Sequence, residues 1–248
     1  MMYDWSKELE NMTLKETCII QIDDAGEPVL KRVVQSGDDG FDTVVLTPIC
    51  PHFFYQDITC VIVENGVPAV KNLLAELKWA PYTLCICLGK PCDEIKSNVD
   101  IWLEEGVSYD ARQMDTYLDT FSLPKDAGFR PVTRVLMHFI QQLDGGFINL
   151  EISDIFGFKP ETTLAYFSAG VAPKGSVFRA AIGASDALEN HPPLHKLIAY
   201  YMVPADTDIA VIDMATKELH LIADPDGLIV FGAGFHQRPE SMTYILGF

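Results

Sequence analysis

The stretch that most constrains this chain is residues 130–158, RPVTRVLMHFIQQLDGGFINLEISDIFGF. Pro131 suits a first helical turn, because its missing N–H would have no partner there. The glycines at 145 and 146 can take the positive φ that ends a helix. Apolar side chains recur between them at helical spacing, so one stripe can face a core; they are Val132, Val135, Leu136, Phe139, Ile140 and Leu143. The sequence therefore predicts a long amphipathic helix, with Thr133 on its polar side, and then an acidic turn at residues 149–154.

Composition excludes several classes of protein. The chain has 248 residues, of which 48% are hydrophobic and 21% charged, as in ordinary soluble globular proteins. Its apolar runs are far shorter than the roughly 20 residues that span a bilayer. A polar, acidic start is unlike a signal peptide, so we expect a cytoplasmic protein. The formal charge of −17 argues against nucleic acid and anionic membranes as partners.

The pattern of elements differs between the two halves of the chain. We predict strands at residues 17–22, 42–47, 57–63, 82–88 and 116–122, and helices at 29–35, 67–78 and 95–105. This alternation predicts a doubly wound, mostly parallel α/β sheet. After the acidic turn we predict strands at 163–172, 209–214, 228–234 and 242–246, a helix at 175–189, and turns at 215–217 and 224–227. That half is expected to be a smaller α+β domain with a mostly antiparallel sheet.

Residues 146–154, GFINLEISD, resemble the acidic loop that follows the central helix of FtsZ, the bacterial relative of tubulin. That family carries an Asn-x-Asp-x-x-Asp pattern. Here Asn149 matches its first position, Glu151 stands at the first Asp and Asp154 at the second. The resemblance continues in three later stretches, which are Arg179-Ala180-Ala181, Pro193-Leu194 and the IVFGA of residues 229–233.

The resemblance implies a domain organisation. Residues 1–129 correspond to the family's nucleotide-binding-type domain, 130–143 to its central connecting helix, and 144–248 to its C-terminal α+β domain. It also implies that the last strand pairs with the strand at 228–234. The chain ends directly after that last strand, without the flexible tail of a typical FtsZ, so a membrane-tethered role in cell division is not expected.

The resemblance also implies where a nucleotide would bind. FtsZ-like GTPases hold GTP with two glycine-rich turns, whose backbone N–H groups approach the phosphates. In this chain only Ala25 and Gly26 remain of the first turn, and Gly66 of the second. Four acidic residues, Asp23, Asp24, Glu27 and Glu64, would flank a polyphosphate. Like charges about 6 Å apart repel by about 2–3 kcal/mol at an effective dielectric constant near 20. We therefore expect that conventional GTP binding is lost and that the chain has no cofactor, with GTP and Mg²⁺ as the alternative.

The acidic turn has two interpretations. In the family, this loop completes the active site of the next subunit by positioning a water molecule, so Asn149, Glu151 and Asp154 would act across an interface. Alternatively, the turn only starts a helix, with Asn149 or Ser153 as cap and acidic groups near the helix N-terminus.

Other candidate residues indicate structure rather than chemistry. The six cysteines form no CxxC pair and lie mostly in apolar runs, which favours reduced, buried thiols. Pro192 and Pro193 separate His191 from His195 and prevent the helix that would align them on a metal. His138 is expected to pack rather than to act as a base. His52 and neighbouring aromatic residues follow a strand, where they would line a pocket or pack on the sheet. We predict no metal site.

Three functions follow from these observations. The first is an FtsZ-like assembly or interaction protein that associates with itself or with a tubulin/FtsZ-like partner. The second is an enzyme, a divergent GTPase of the same family. The third is a small-molecule binding module at the former nucleotide cleft.

Overall fold

The computed structural model describes residues 16–36, 40–46, 58–77, 83–123, 128–143, 146–158, 163–173 and 176–248. The strands are β1 Glu16–Ile22, β2 Pro28–Ser36, β3 Gly40–Leu46, β4 Ile58–Val63, β5 Leu84–Leu88, β6 Ile101–Leu103, β7 Thr163–Leu164, β8 Tyr166–Ala172, β9 Leu194–Pro204, β10 Ala223–His236 and β11 Ser241–Gly247. The helices are α1 Lys71–Leu77, α2 Asp93–Lys96, α3 Ala111–Thr120, α4 Pro131–Gln142, α5 Ile152–Phe158, α6 Val177–Asp186 and α7 Ile209–Glu218. Short 3₁₀ turns at Pro68–Val70 and Leu219–Leu221 flank α1 and α7.

The first sheet has the strand order β3-β2-β1-β4-β5-β6-β7. The neighbouring strands in the part β1-β4-β5-β6-β7 of this order are all parallel. Strands β1, β2 and β3 form an antiparallel meander at the other side. Both faces of the sheet are covered. Ile19, Ile62 and Ile86 pack towards the central helix α4 on one face, and Cys18 and Val61 pack with α1 on the other. The predicted doubly wound, mostly parallel sheet is therefore confirmed.

The second sheet has the strand order β10-β9-β11-β8. Strands β9 and β10 are parallel, and the other two pairs are antiparallel. One face packs on the central helix, where Phe139 lies against Phe167 and Tyr244. The opposite face carries α6 and α7. The predicted smaller, mostly antiparallel domain is confirmed, but its last strand pairs with β9 and β8, not with the strand at 228–234.

The central helix agrees with its prediction, since every residue of the predicted apolar stripe is buried. It spans Pro131–Gln142, with Leu143 as the following cap residue. Thr133 is an exception. It was predicted on the polar side, yet it is fully buried. Its hydroxyl tolerates burial because it donates a hydrogen bond to Glu64 at 2.6 Å. Gly145 lies outside the described residues.

Two of the helices predicted in the first half are wrong. Residues 29–35 form strand β2 instead of a helix, because a tight turn folds them back antiparallel onto β1. Residues 95–105 hold only the end of the short helix α2 and then strand β6, which pairs with β5 through Ile101.

The predicted strand at 116–122 is the end of helix α3. Asp110 begins this helix, because its side chain accepts the Arg112 N–H, and Met114 and Leu118 bury one face.

The predicted strand at 209–214 and turn at 215–217 are likewise wrong. They form helix α7, which Asp208 caps by accepting the Ala210 N–H. Strand β9 was not predicted at all. It is buried on both faces along most of its length, so it lacks the alternation that marks a half-exposed strand. The predicted strand at 163–172 is divided at Ala165 into β7 of the first sheet and β8 of the second.

Candidate functional site

The carboxyl ends of β1 and β4 form the switch point of the first sheet. After β1 the chain turns to β2 and β3 on one side, and it returns as β4 on the other side of β1. Open α/β sheets bind their ligands in the crevice at such a point. The two turns that were predicted as remnants of nucleotide loops follow these two strands.

The first turn, which contains Ala25 and Gly26, is a β-hairpin turn. The Asp23 carboxylate accepts hydrogen bonds from the N–H groups of Ala25 and Glu27, both at 2.9 Å. Gly26 has a φ of +85°, and a Cβ atom there would meet nothing within 4 Å. The glycine therefore supplies a left-handed turn conformation rather than a close approach to a ligand. Because the chain continues as strand β2, this turn presents no helix N-terminus to a phosphate.

The second turn, which contains Gly66, packs against the loop that follows β5. A Cβ atom on Gly66 would lie 2.7 Å from Cys87 Sγ and 3.1 Å from Pro91 Cα. The Cys92 N–H donates to the Gly66 carbonyl at 3.0 Å. This glycine is needed for contact between two loops of the same chain.

Glu64 lies between these turns, at the end of β4, and its side chain points into the protein. The residue is only 5% exposed. Its carboxylate accepts hydrogen bonds from the Arg130 N–H at 2.9 Å, the Thr133 hydroxyl at 2.6 Å and the Gln21 amide at 2.6 Å. Arg130 provides no side-chain cap of its own to the central helix. Glu64 therefore caps that helix from another part of the fold, and its negative charge lies at the positive end of the helix dipole.

The segment that precedes the central helix lies across the same crevice. Gln21 also donates to the Gly128 carbonyl. Phe129 is buried, and the Lys31 ammonium lies 5.0 Å from the centre of its ring. The Arg130 guanidinium donates to Glu105 at 3.0 Å and to the Tyr109 hydroxyl at 2.8 Å. Protein groups thus occupy the hydrogen-bonding positions at the N-terminus of the central helix.

The acidic turn lies on the second sheet and starts helix α5. The Glu151 N–H donates to the Asp154 carboxylate at 2.7 Å, which is the backward half of a capping box. The Glu151 carboxylate accepts from the Ser153 hydroxyl at 3.1 Å and from the Asn149 amide at 3.4 Å. Leu150 anchors the turn in the core, while Asn149 and Glu151 are exposed. The turn therefore has the capping contacts of a helix start, and Glu151 remains exposed to solvent.

The structure separates the two predicted groups of site residues. Ala25, Gly26 and Gly66 lie near the start of the central helix, and the acidic turn follows its other end. Twelve helical residues separate them, which is roughly 18 Å at 1.5 Å per residue. One chain does not bring these groups together.

His138, His191 and His195 have structural contacts. The His138 imidazole contacts the Tyr244 hydroxyl, and Phe121 packs edge-on against it. His191 packs on Tyr166, and His195 pairs with Asp224 at 3.2 Å. His52 lies outside the described residues. An open cavity of about 270 Å³ lies at the second sheet, lined by Pro204, Asp206, His236 and Arg238 among others.

The described cysteines are free thiols, and most of them are buried. Burial raises the pKa of Cys18 and of Cys87 to about 12, and it raises the pKa of Cys60 further. These groups therefore stay protonated and act as small apolar side chains at neutral pH. Within the described ranges, no three His, Cys, Asp or Glu side chains are grouped as metal ligands would be.

Sequence reasoning missed the role of Glu64, which was predicted only as a charge that repels phosphate. A signal was available in the start of the central helix. Arg130-Pro131 offers no capping side chain, so the buried N–H groups of this helix need an acceptor from elsewhere. The sequence does not tell which acceptor, because Glu64 is 66 residues away from Arg130.

Comparison with known proteins gives similarity in structure only. No protein-family model matches the chain, and no curated protein matches it. A W319Y mutant of FtsZ from M. jannaschii is similar at 15% identity and a TM-score of 0.56, over 77% of this chain and 66% of that chain. An FtsZ dimer from M. jannaschii, described as empty, gives the same identity and TM-score over 77% of this chain and 64% of its own. GDP-form protofilaments of TubZ from Bacillus thuringiensis serovar israelensis give 10% identity and a TM-score of 0.47, over 77% of this chain and 62% of that chain.

The chain thus spans no more than about two thirds of the length of the FtsZ chains that it resembles. At 15% identity the likeness concerns the arrangement of strands and helices. In the described part of the chain, no helix combines the length and apolar character needed to cross a membrane. This chain has an FtsZ/tubulin-like fold.

Proposed function

We propose that this chain is an FtsZ-like assembly or interaction protein that has lost conventional GTP binding. In this proposal it associates with itself or with a tubulin/FtsZ-like partner through the acidic turn, in the cytoplasm. The loss of GTP binding is carried by one observation: the Glu64 carboxylate occupies the hydrogen-bond donors at the start of the central helix.

A phosphate at this point would have to displace Glu64 from its three donors. Each hydrogen bond to a charged group contributes about 1.5–3 kcal/mol, and micromolar binding amounts to about 8 kcal/mol in total. Displacing three such bonds, while leaving the carboxylate beside a polyphosphate, would remove most of that affinity. The hairpin turn after β1 supports the same proposal, because it offers no helix N-terminus to the ligand.

The acidic turn is the better candidate for a functional surface. Its shape is fixed by capping hydrogen bonds, and Glu151 remains exposed. A fixed carboxylate loses little conformational freedom when a partner binds it. One of the FtsZ structures that the chain resembles is a dimer, which supports self-association as one form of this function.

The nucleotide part of the proposal is tested by thermal unfolding with millimolar GTP or GDP and Mg²⁺, and with ATP as a control. We expect no change in melting temperature. A ligand at 100 times its dissociation constant adds about 2.7 kcal/mol, which would raise the melting temperature of a domain of this size by about 5–11 °C. A rise specific to guanine nucleotides would contradict the proposal and favour the divergent GTPase.

The partner part is tested with Asp154→Asn and Glu151→Gln, which keep an acceptor oxygen but remove the charge. Asp115→Asn, on the exposed face of α3, is the matched control. Sedimentation velocity would measure self-association, and GTP hydrolysis by an added FtsZ would measure binding to such a partner. We expect both acidic-turn variants to weaken one of these readouts and the control to weaken neither. Equal behaviour of all three variants would reject the acidic turn as the interface.

A further inference from the structure

Strand β10 is an edge strand of the second sheet. It pairs with β9 on one side. On the other side, among the described residues, only Ile148 pairs with it, as an isolated antiparallel bridge to Ala233. The Ile148 N–H donates to the Ala233 carbonyl at 3.1 Å, and the Ala233 N–H donates to the Ile148 carbonyl at 3.0 Å.

The Ile148 bridge fixes which backbone groups of β10 point outward. Because Ala233 turns both its N–H and its C=O away from β9, Ile229 and Phe231 do the same at the two-residue period of a strand. The chain that carries Ile148 leaves this edge at once, since Leu150 is buried over Gly232. In the described part of the chain, no backbone group pairs with the outward sides of Ile229 and Phe231.

The side chains along this edge are apolar and incompletely covered. Leu228 is 55% exposed, and Ile229, Val230 and Phe231 are half-buried. At the end of the edge, Phe235 stacks on Phe147 with ring centres 4.0 Å apart, and both remain exposed.

Natural proteins usually protect a sheet edge with charge, proline or a bulge. Here a bulge lies between Ala223 and Leu228, with Asp224, Pro225 and Asp226 inside it. Residues 228–235, LIVFGAGF, contain no charged residue and no proline. The protection therefore covers only the start of the strand.

We propose that the edge of β10 at residues 228–231 binds an extended segment of another protein as an added β-strand, and that this segment has apolar residues in its centre and Lys or Arg on both flanks. Strand addition would satisfy the outward groups of Ile229 and Phe231 and cover the apolar side chains beside them. The inference goes beyond the proposed function and does not depend on how the nucleotide crevice is filled.

Charge selects this partner over a second copy of the chain. Asp226 lies at one end of the edge, and Glu151 directly follows Leu150, which packs on Gly232 at the other end. The chain as a whole carries a formal charge of −17. An identical chain would bring the same acidic groups to the same place, whereas basic flanks would meet an acidic residue at each end.

The probe is a fluorescent peptide, Lys-Lys-Val-Thr-Val-Thr-Val-Lys-Lys, whose binding to the full chain is followed by fluorescence anisotropy. A second peptide carries N-methyl groups on all five central residues, which removes the backbone donors on both sides of the peptide strand but keeps its charge. A third has Glu in place of each Lys. We expect the first peptide to bind and the other two to bind at least about tenfold more weakly.

Two substitutions locate the binding site. Leu228→Lys adds a positive charge to the edge, and Met214→Lys adds the same charge at a residue of equal exposure on α7, 55% against 58%. Ile229→Pro removes an outward N–H, which an edge strand tolerates. We expect Leu228→Lys and Ile229→Pro to weaken binding by about tenfold or more and Met214→Lys to leave it unchanged.

Several results would overturn the proposal. Absence of binding would do so, as would binding that N-methylation and Leu228→Lys leave unchanged, because the peptide would then be held by charge alone. Self-association of the chain that Leu228→Lys abolishes would show that a second copy occupies the edge instead. If Ile229→Pro does not fold, the N-methylated peptide and Leu228→Lys still decide the outcome.

Discussion

The two ends of the central helix differ in what surrounds them. At its start, Glu64 is 5% exposed and accepts three hydrogen bonds from the protein itself. Beyond its other end, the acidic turn leaves Glu151 exposed, and the edge of β10 has outward groups without a partner among the described residues. One end is therefore closed and satisfied internally, whereas the other offers charge, apolar surface and hydrogen bonds to a partner. The comparison teaches that the two ends of one helix can differ in whether protein groups or solvent face their polar side chains.

The largest expected effect is at the closed end. Glu64→Ala removes the acceptor of the buried Thr133 hydroxyl and of two half-buried donors, the Arg130 N–H and the Gln21 amide, and each unsatisfied buried group costs about 1–3 kcal/mol. Part of this loss is relieved by water, so we expect the free energy of unfolding to fall by about 3–4 kcal/mol. Urea denaturation would measure it. Glu105→Ala removes one exposed carboxylate near the same Arg130 and should cost less than about 1 kcal/mol. Similar losses for both variants would mean that Glu64 is not the cap of the central helix.

A smaller effect is expected from Gly66→Ala, which tests whether the second turn is packed by the chain. The new Cβ would lie 2.7 Å from the buried Cys87 Sγ, so we expect a loss of about 1–3 kcal/mol. Gly183→Ala, inside helix α6, is the matched control, because its Cβ would meet nothing closer than 3.9 Å. A helical Gly→Ala change should raise stability by about 0.5–1 kcal/mol. Effects of the same sign in calorimetry would contradict this account.

Alkaline pH should also affect the first sheet, through its buried thiols on the face that packs with α1. Burial raises the pKa of Cys18 from 9.0 to about 12, so the folded state keeps a proton that the unfolded state loses. The stabilisation is complete below pH 9 and is lost as the pH rises from about 9 to about 12. Between pH 8 and pH 10, the free energy of unfolding of Cys18→Ala should fall by about 1–2 kcal/mol less than that of the wild-type chain. Urea midpoints at several pH values would measure the slope, and parallel slopes would reject the contribution of this thiol.

The smallest expected effect is at the open end. Asp154→Ala removes the capping hydrogen bond to Glu151 from a half-exposed turn, so we expect a loss of about 0.5–1 kcal/mol. Asp154→Asn keeps an acceptor oxygen and should therefore lose less stability than Asp154→Ala. If Asp154→Ala lowers the free energy of unfolding as much as Glu64→Ala does, the acidic turn is as tightly packed as the start of the central helix, and the comparison fails.

The sequence predicted those parts of the fold that depend on local patterns. The central helix was predicted correctly because its apolar stripe repeats over three turns and Pro131 marks its start. The acidic turn was recognised from a short motif. The positive φ predicted for Gly146 is wrong, and this glycine is needed instead because a Cβ there would overlap the Ala233 carbonyl.

The errors have physical causes that lie outside the local sequence. Strand β2 is a strand because it pairs with β1, and β9 is buried on both faces by elements far away in the chain. Residues 116–122 are rich in Thr, Tyr and Phe, which favour strands, but Asp110 starts a helix before them. The role of Glu64 depends on contacts 43, 66 and 69 residues away, which no spacing rule reveals.

The division of residues 163–172 at Ala165 has a consequence for how the protein unfolds. Thr163 and Leu164 extend the first sheet, Tyr166 begins the second, and the buried Ala165 donates its N–H to the Trp102 carbonyl. The two sheets thus share one continuous backbone as well as the central helix. Neither sheet can lose its edge without disturbing the other, so the chain should melt as a single cooperative unit, with equal calorimetric and van't Hoff enthalpies.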